Sequence, residues 1–174
     1  MEKIVVENLY KIFGPEPRKA IEMLKNGSDK ESIFEKTGMT VGVNNANFSV
    51  QAGEIFVVMG LSGSGKSTIV RMLNRLIEPS AGKVIVDGKN VTRMSPEALV
   101  KFRLHNMSMV FQSFALMPHL TVLENTAFGL NLAGIDKAKQ RQRAPKSPPL
   151  DRLNLAEQHR YPQGTCRQAE QRVQ

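Results

Sequence analysis

The chain has 174 residues, 41% of them hydrophobic, with one cysteine and a formal net charge of +8. That length suits about one domain with a real core, a lone cysteine excludes an internal disulfide, and no apolar run approaches the roughly 20 residues of a bilayer span. The basic excess belongs to the tail, where residues 137–174 hold 9 Lys/Arg against 3 Asp/Glu, and without aromatic interleaving it reads as a solvated tail rather than a nucleic-acid surface.

His105, His119 and His159 show no ligand spacing with Cys166 or with each other, so no structural metal site is expected. The N-terminus Met-Glu-Lys-Ile-Val-Val lacks the apolar core of a signal peptide, which makes the cytosol the expected compartment.

Lys3 to Leu9 has strand character, and Tyr10-Lys-Ile-Phe13 follows before Gly14-Pro15 breaks the pattern. Phe13 suits either a core position or the face on which a base stacks. From Arg18 to Thr37 the pattern is helical, with Ile21 and Leu24 three apart and Ser28-Asp-Lys-Glu31 read as a capping box ahead of Ile33 and Phe34. A helical insertion over about residues 15–40 is predicted. Val43 to Val50 sets Ala46, Phe48 and Val50 against polar neighbours, a half-buried strand that turns at Ala52-Gly53.

Ile55 to Met59 is an apolar run of strand length, and beyond Thr68 the residues Ile69, Met72, Leu73, Leu76 and Ile77 repeat at helical spacing. Between them lies Gly60-Leu-Ser-Gly-Ser-Gly-Lys-Ser-Thr68, in which Gly60, Gly65, Lys66 and Ser67 satisfy G-x-x-x-x-G-K-[ST]. Small residues there let successive N–H groups curl around a phosphate, with the helix dipole aimed at the anion. Lys66 is expected to reach the β/γ-phosphates and Ser67 to hold Mg²⁺. A Gly/Ser-rich turn that matches by chance is the competing reading, and the flanking strand and helix weigh against it.

The loop's helix is expected to run to Glu78-Pro79. Val84-Ile-Val86 and Val91 then flank Asp87-Gly88, a hairpin signal. Ser95-Pro96-Glu97 supplies an N-cap, a first-turn proline and an acid for a helix to about Leu104. Met107 to Phe111 reads as a second buried strand delivering Gln112 to a loop. Thr121-Val-Leu-Glu124 is a capping box for a helix that ends near Ala133 at Gly134. Beyond Asp136 the chain turns polar, and Pro145-Lys-Ser-Pro-Pro149 breaks any helix.

With these residues in view, the chain resembles the N-terminal part of an ABC-transporter ATPase subunit, most closely the ATP-binding subunit of glycine betaine/proline importers. The resemblance covers about residues 3–143. It rests on Asn8 to Phe13, on Gly60 to Pro79 (GLSGSGKSTIVRMLNRLIEP) and on Met109 to Gly129 (MVFQSFALMPHLTVLENTAFG). The insertion at residues 15–40 is similar to that subfamily as well. It implies an α/β P-loop core with an antiparallel β subdomain over residues 1–143, a helical subdomain beginning near 113, and a divergent basic tail over 144–174.

The resemblance further implies ATP and Mg²⁺ as cofactors. Phe13 matches the aromatic that stacks on adenine, Ser62, Gly63, Ser64, Gly65, Lys66, Ser67 and Thr68 the phosphate cradle, and Gln112 the glutamine that reaches Mg²⁺ and the attacking water. Ser113 to Leu123 matches the surface that meets a membrane permease. A second ATPase subunit and, indirectly, an external solute-binding protein are implied partners, with the chain peripheral on the inner membrane face.

Arg160-Tyr-Pro162 still resembles the family, but Gln163-Gly-Thr-Cys-Arg-Gln-Ala-Glu-Gln-Arg-Val-Gln174 departs from its Leu-Ser-Gly-Gly-type signature. The Walker B acids and switch histidine are also missing, so a truncated, catalytically incomplete chain is expected, from a disrupted frame or a decayed gene copy. A small P-loop kinase and a non-catalytic nucleotide- or permease-binding remnant are the alternatives.

Overall fold

The computed structural model describes residues 1–110 and 116–139. The chain divides into two compact units, Met1–Arg103 and Leu104–Gln174. The first is built on a four-stranded antiparallel sheet ordered β2-β1-β3-β4, with β1 at Glu2–Phe13, β2 at Thr40–Gln51, β3 at Ala81–Val86 and β4 at Lys89–Asn90. Tyr10 to Phe13 therefore continues the first strand. The β3–β4 turn is Asp87-Gly88, both at positive φ (49° and 71°), the geometry that matches strand twist in a two-residue hairpin. Val91 leaves the ladder for a short 3₁₀ turn at Val91–Arg93.

Long β1 and β2 pair along most of their length with register shifts, one of them between Val6/Leu9. At that bulge Asn8 and Asn45 both take φ 48°, a conformation asparagine tolerates better than most residues. The Asn47 amide bridges them, accepting from the Asn8 N–H at 2.8 Å and donating to the Asn45 carbonyl at 2.8 Å.

Helices α1 (Pro17–Lys25) and α2 (Lys30–Thr37) form the predicted insertion between β1 and β2. Their apolar faces close a core with the strands: Ala20, Ile21, Ile33 and Met39 are buried with Tyr10, Ile12 and Val41. The N-cap of α2 is Asp29, whose carboxylate accepts the Ser32 N–H at 2.7 Å, rather than Ser28 as the capping-box spacing suggested. Ser28 is already committed, since its N–H closes the end of α1 onto Met23 O at 2.9 Å while Gly27 bonds Leu24 O, a Schellman ending.

Helix α3 spans Lys66–Leu73 and stops short of the expected Glu78-Pro79. Arg75 turns left-handed at φ 55°, and the Leu76 N–H reaches back to Arg71 O at 2.8 Å. The Arg75 guanidinium holds this turn through Met94 O at 2.6 Å and Glu78 at 2.7 Å. Helix α4 (Pro96–Asn106) begins as predicted, with Ser95 Oγ accepting the Ala98 N–H.

Two expected strands are not formed among the described residues. Ile55–Met59 joins no ladder among the described residues and leaves Ile55 90%, Val57 65% and Met59 85% exposed. A strand exists only by pairing, and this run's described anchor is instead Phe56, stacked on Phe48 of β2 with centroids 4.8 Å apart. Met107–Val110 likewise joins no ladder among the described residues, with Val110 96% exposed; Phe111 lies outside the described residues.

In the second unit α5 runs Val122–Leu132 with the Thr121/Glu124 capping box fully formed, and Gly134 follows at φ 70°. Both features match the sequence expectation. The tail from residue 140 onward lies outside the described residues.

Candidate functional site

The loop from Gly60 to Gly65 leads directly into the N-terminus of α3. Gly65 is the N-cap at φ 90°, where a side chain would be strained and would also collide with the Gly42 carbonyl of β2. The loop closes on itself through Ser64 N–H to Leu61 O at 3.2 Å. Lys66 bends back over it, its ammonium 2.6 Å from Leu61 O and 3.4 Å from Ser64 Oγ. An ideal Cβ on Gly60 would lie 2.7 Å from Ser64 Oγ, so the hydroxyl, the glycine and the ammonium share one small volume.

First-turn amides of a helix have no intrahelical acceptor. Here that turn carries no acidic residue, so the positive end of the dipole and the Lys66 charge add rather than cancel. Ser67 is exposed and Thr68 half-buried on the same turn. Such an arrangement can bind an oxyanion.

The structure also brings Phe13 to this place. Its ring, 43% exposed, lies against Gly42, whose ideal Cβ would fall 2.7 Å from Phe13 Cε2. Gly42 in turn is the residue on which Gly65 rests. Base-stacking candidate and phosphate-loop candidate are thus joined through one residue of β2. Lys11 adds a contact that sequence reasoning did not anticipate, with Nζ 5.1 Å from the Phe13 ring centroid and 2.8 Å from Glu78 O. Gly42 was missed too, although a glycine between Val41 and Val43 in a strand is a signal of close approach.

Gln112 and residues Ser113 to Ala115 of the expected permease-facing stretch lie outside the described residues. The described part, Leu116 to Leu123, is organised by Asn125. Its side chain accepts the Met117 N–H at 2.7 Å and donates to the carbonyls of Met117, Leu120 and Thr121 at 3.0–3.1 Å. Among the described residues no group of three His, Cys, Asp or Glu could hold a metal, and no helix is long and apolar enough to cross a membrane.

The family model for ABC transporters matches residues 43–172. The glycine betaine transport ATP-binding protein OpuAA of Bacillus subtilis is 54% identical over 171 residues, covering 98% of this chain and 41% of that protein. The glycine betaine/proline betaine transport ATP-binding protein ProV of Escherichia coli is 54% identical over 142 residues, covering 82% of this chain and 36% of its own length. The chain therefore spans well under half of these curated relatives. Among solved structures, the dimeric cassette MJ0796 in a post-hydrolysis state bound to ADP and Pi aligns with TM-score 0.71 and 25% identity, covering 92% of this chain and 62% of that one. A second dimeric structure of the same cassette aligns at TM-score 0.74 and 26% identity, covering 98% and 66%.

Proposed function

The chain belongs to the ABC transporter family, and from that premise we propose that it carries the nucleotide site of an ATP-binding subunit that energises import of glycine betaine-type solutes. The observation that supports the nucleotide assignment is the continuity from Phe13 through Gly42 to Gly65 and Lys66. The solute class is supported by 54% identity to OpuAA over nearly the whole chain.

In this reading the adenine of Mg-ATP stacks on Phe13. Gly60, Ser62, Gly63, Ser64, Gly65 and Thr68 line the phosphates with backbone N–H groups and hydroxyls, and Lys66 spans the β- and γ-phosphates. Ser67 and Gln112 are the residues that would hold Mg²⁺, whose bound charge helps neutralise the transferring phosphoryl group. The loop residues fit that role because the Gly65 N-cap and the acid-free first turn of α3 place positive potential where phosphate oxygens would sit. The stretch Gln163-Gly-Thr-Cys166 stands where the family's Leu-Ser-Gly-Gly signature is expected, so these 174 residues bind nucleotide without by themselves completing a hydrolytic site.

Ser113 to Leu123 is the surface offered to a transmembrane permease, with a second ATPase subunit as dimer partner and a solute-binding protein acting through the permease. The chain then works at the cytoplasmic face of the membrane. Calorimetric titration with Mg-ATP tests the nucleotide site, and lack of binding by the wild-type chain would overturn it. Capture of the chain by membranes containing a glycine betaine permease, against membranes lacking it, tests the partner.

A further inference from the structure

Gly42 lies in β2 and is not among the residues at positive φ, so its backbone conformation is open to any side chain. A glycine inside a strand costs conformational entropy and packs nothing, which usually marks a close approach by something else. The Phe13 ring makes that approach. An ideal Cβ at this position would fall 2.7 Å from Cε2 and 3.3 Å from Cδ2 of Phe13, and on the loop side Gly65 packs against the Gly42 carbonyl.

We infer that Gly42 is a positioning residue for the nucleotide base: its missing side chain is what seats the Phe13 ring against β2, at the residue whose carbonyl Gly65 of the phosphate loop packs on. The inference rests on the nucleotide reading of Phe13 and Lys66. Lys11 completes the seat, its ammonium tethered to Glu78 O and facing the ring. A methyl group at residue 42 would push a partly exposed ring outward and leave the loop in place. Stability and base recognition then separate. At a compatible φ, Gly→Ala narrows the unfolded ensemble and favours the fold, while the base loses its platform.

The test uses the full 174-residue chain titrated calorimetrically with Mg-ATP and with Mg-tripolyphosphate, which lacks the base. Phe13→Ala and Gly42→Ala are each expected to lose about 5- to 100-fold in ATP affinity, the range for one stacked base, with tripolyphosphate affinity and melting temperature retained. The double variant should lose no more than Phe13→Ala alone, because the two residues act through one contact. Gly42→Ala with unchanged ATP affinity overturns the inference. So does an equal loss for both ligands, or a further loss on top of Phe13→Ala, since either assigns Gly42 to the loop or the fold. Phe13→Ala with unchanged ATP affinity overturns the base-stacking reading itself, and is told apart because it does not involve Gly42. If Gly42→Ala does not fold, recovery of folding in the double variant supports a collision with the ring, and continued unfolding overturns it.

Discussion

The Lys66 ammonium donates to the Leu61 carbonyl oxygen at 2.6 Å, so the loop itself holds its lysine over the N-terminus of α3. A side chain placed this way has less rotamer entropy to lose when it meets a phosphate. Lys66→Ala is expected to weaken Mg-ATP binding by about 10- to 100-fold, the size of one charge-assisted hydrogen bond. Because the hydrogen bonds of the Lys66 ammonium among the described residues go to loop atoms, the melting temperature should stay within a few degrees of wild type. Calorimetry that finds equal affinity would remove Lys66 from the phosphate site.

The other end of α3 depends on Arg103. Its guanidinium donates Nε to Asn74 O and one Nη to Arg75 O, both at 2.8 Å, capping carbonyls that the helix end leaves without intrahelical donors. Arg103→Ala should cost about 1–3 kcal/mol, the penalty for part-buried acceptors stripped of a charged donor. Arg103→Lys should recover only part, since a single ammonium cannot match the fork. Urea midpoints at equal m-value measure both.

Much of this was legible in the residues. The G-x-x-x-x-G-K-S spacing, the Asp87-Gly88 turn and the Thr121/Glu124 box each depend on contacts within a few positions, and each lies where the spacing put it. What escaped depended on partners distant in sequence. Ile55–Met59 has strand composition, but composition cannot supply the ladder neighbour that makes a strand. The end of α3 was misjudged because Leu76 and Ile77 keep helical spacing, while Arg75 is pinned left-handed by the carbonyl of Met94. Gly42 and Lys11 gained their importance only when β1 and β2 paired.

The exposed apolar run predicts association. Ile55, Val57 and Met59 present exposed apolar side chains on a run that joins no ladder among the described residues, an arrangement open to strands from other molecules. Light scattering should show concentration-dependent oligomers of the isolated chain. Val57→Lys should reduce them markedly, as a charge on an open edge opposes pairing, without changing the melting temperature of the β1–β2 sheet. A monomer at high concentration in wild type would count against this.

Asp29 predicts a pH effect whose sign follows from its cap. The Ser32 backbone N–H holds the carboxyl below its ordinary value, so the folded state prefers the charged form. The stabilisation is present above the unfolded value near about 4 and is lost as pH falls through the lower folded value. Asp29→Asn keeps an acceptor but no charge. The melting temperature of wild type relative to this variant should be level from about pH 5 to 8 and decline below about pH 4. A difference that does not change with pH would show that the charge contributes nothing.

Asn125 gives the last prediction, because one side chain there lies within hydrogen-bond distance of four backbone groups of the segment before α5. Met117 uses both its N–H and its carbonyl on this amide, and the carbonyls of Leu120 and Thr121 accept from the same nitrogen. Asn125→Ala removes the acceptor and both donor hydrogens at once, at a cost of about 1–3 kcal/mol in local stability. Asn125→Asp keeps the bond from the Met117 N–H yet sets carboxylate oxygen against three carbonyls, so it should loosen the segment more than alanine does. The helix itself should persist, since Thr121 and Glu124 cap each other without Asn125. Hydrogen exchange separates these effects: the Met117 and Leu120 amides should exchange faster in both variants while the amides of Ala127 to Leu132 keep wild-type rates. Wild-type exchange at Met117 would mean the latch is ornamental. If Ser113 to Leu123 is the permease-facing surface, the same variants should bind permease-containing membranes more weakly, in the order wild type, alanine, aspartate, because a segment that must be ordered on contact binds at lower affinity than one already held in shape.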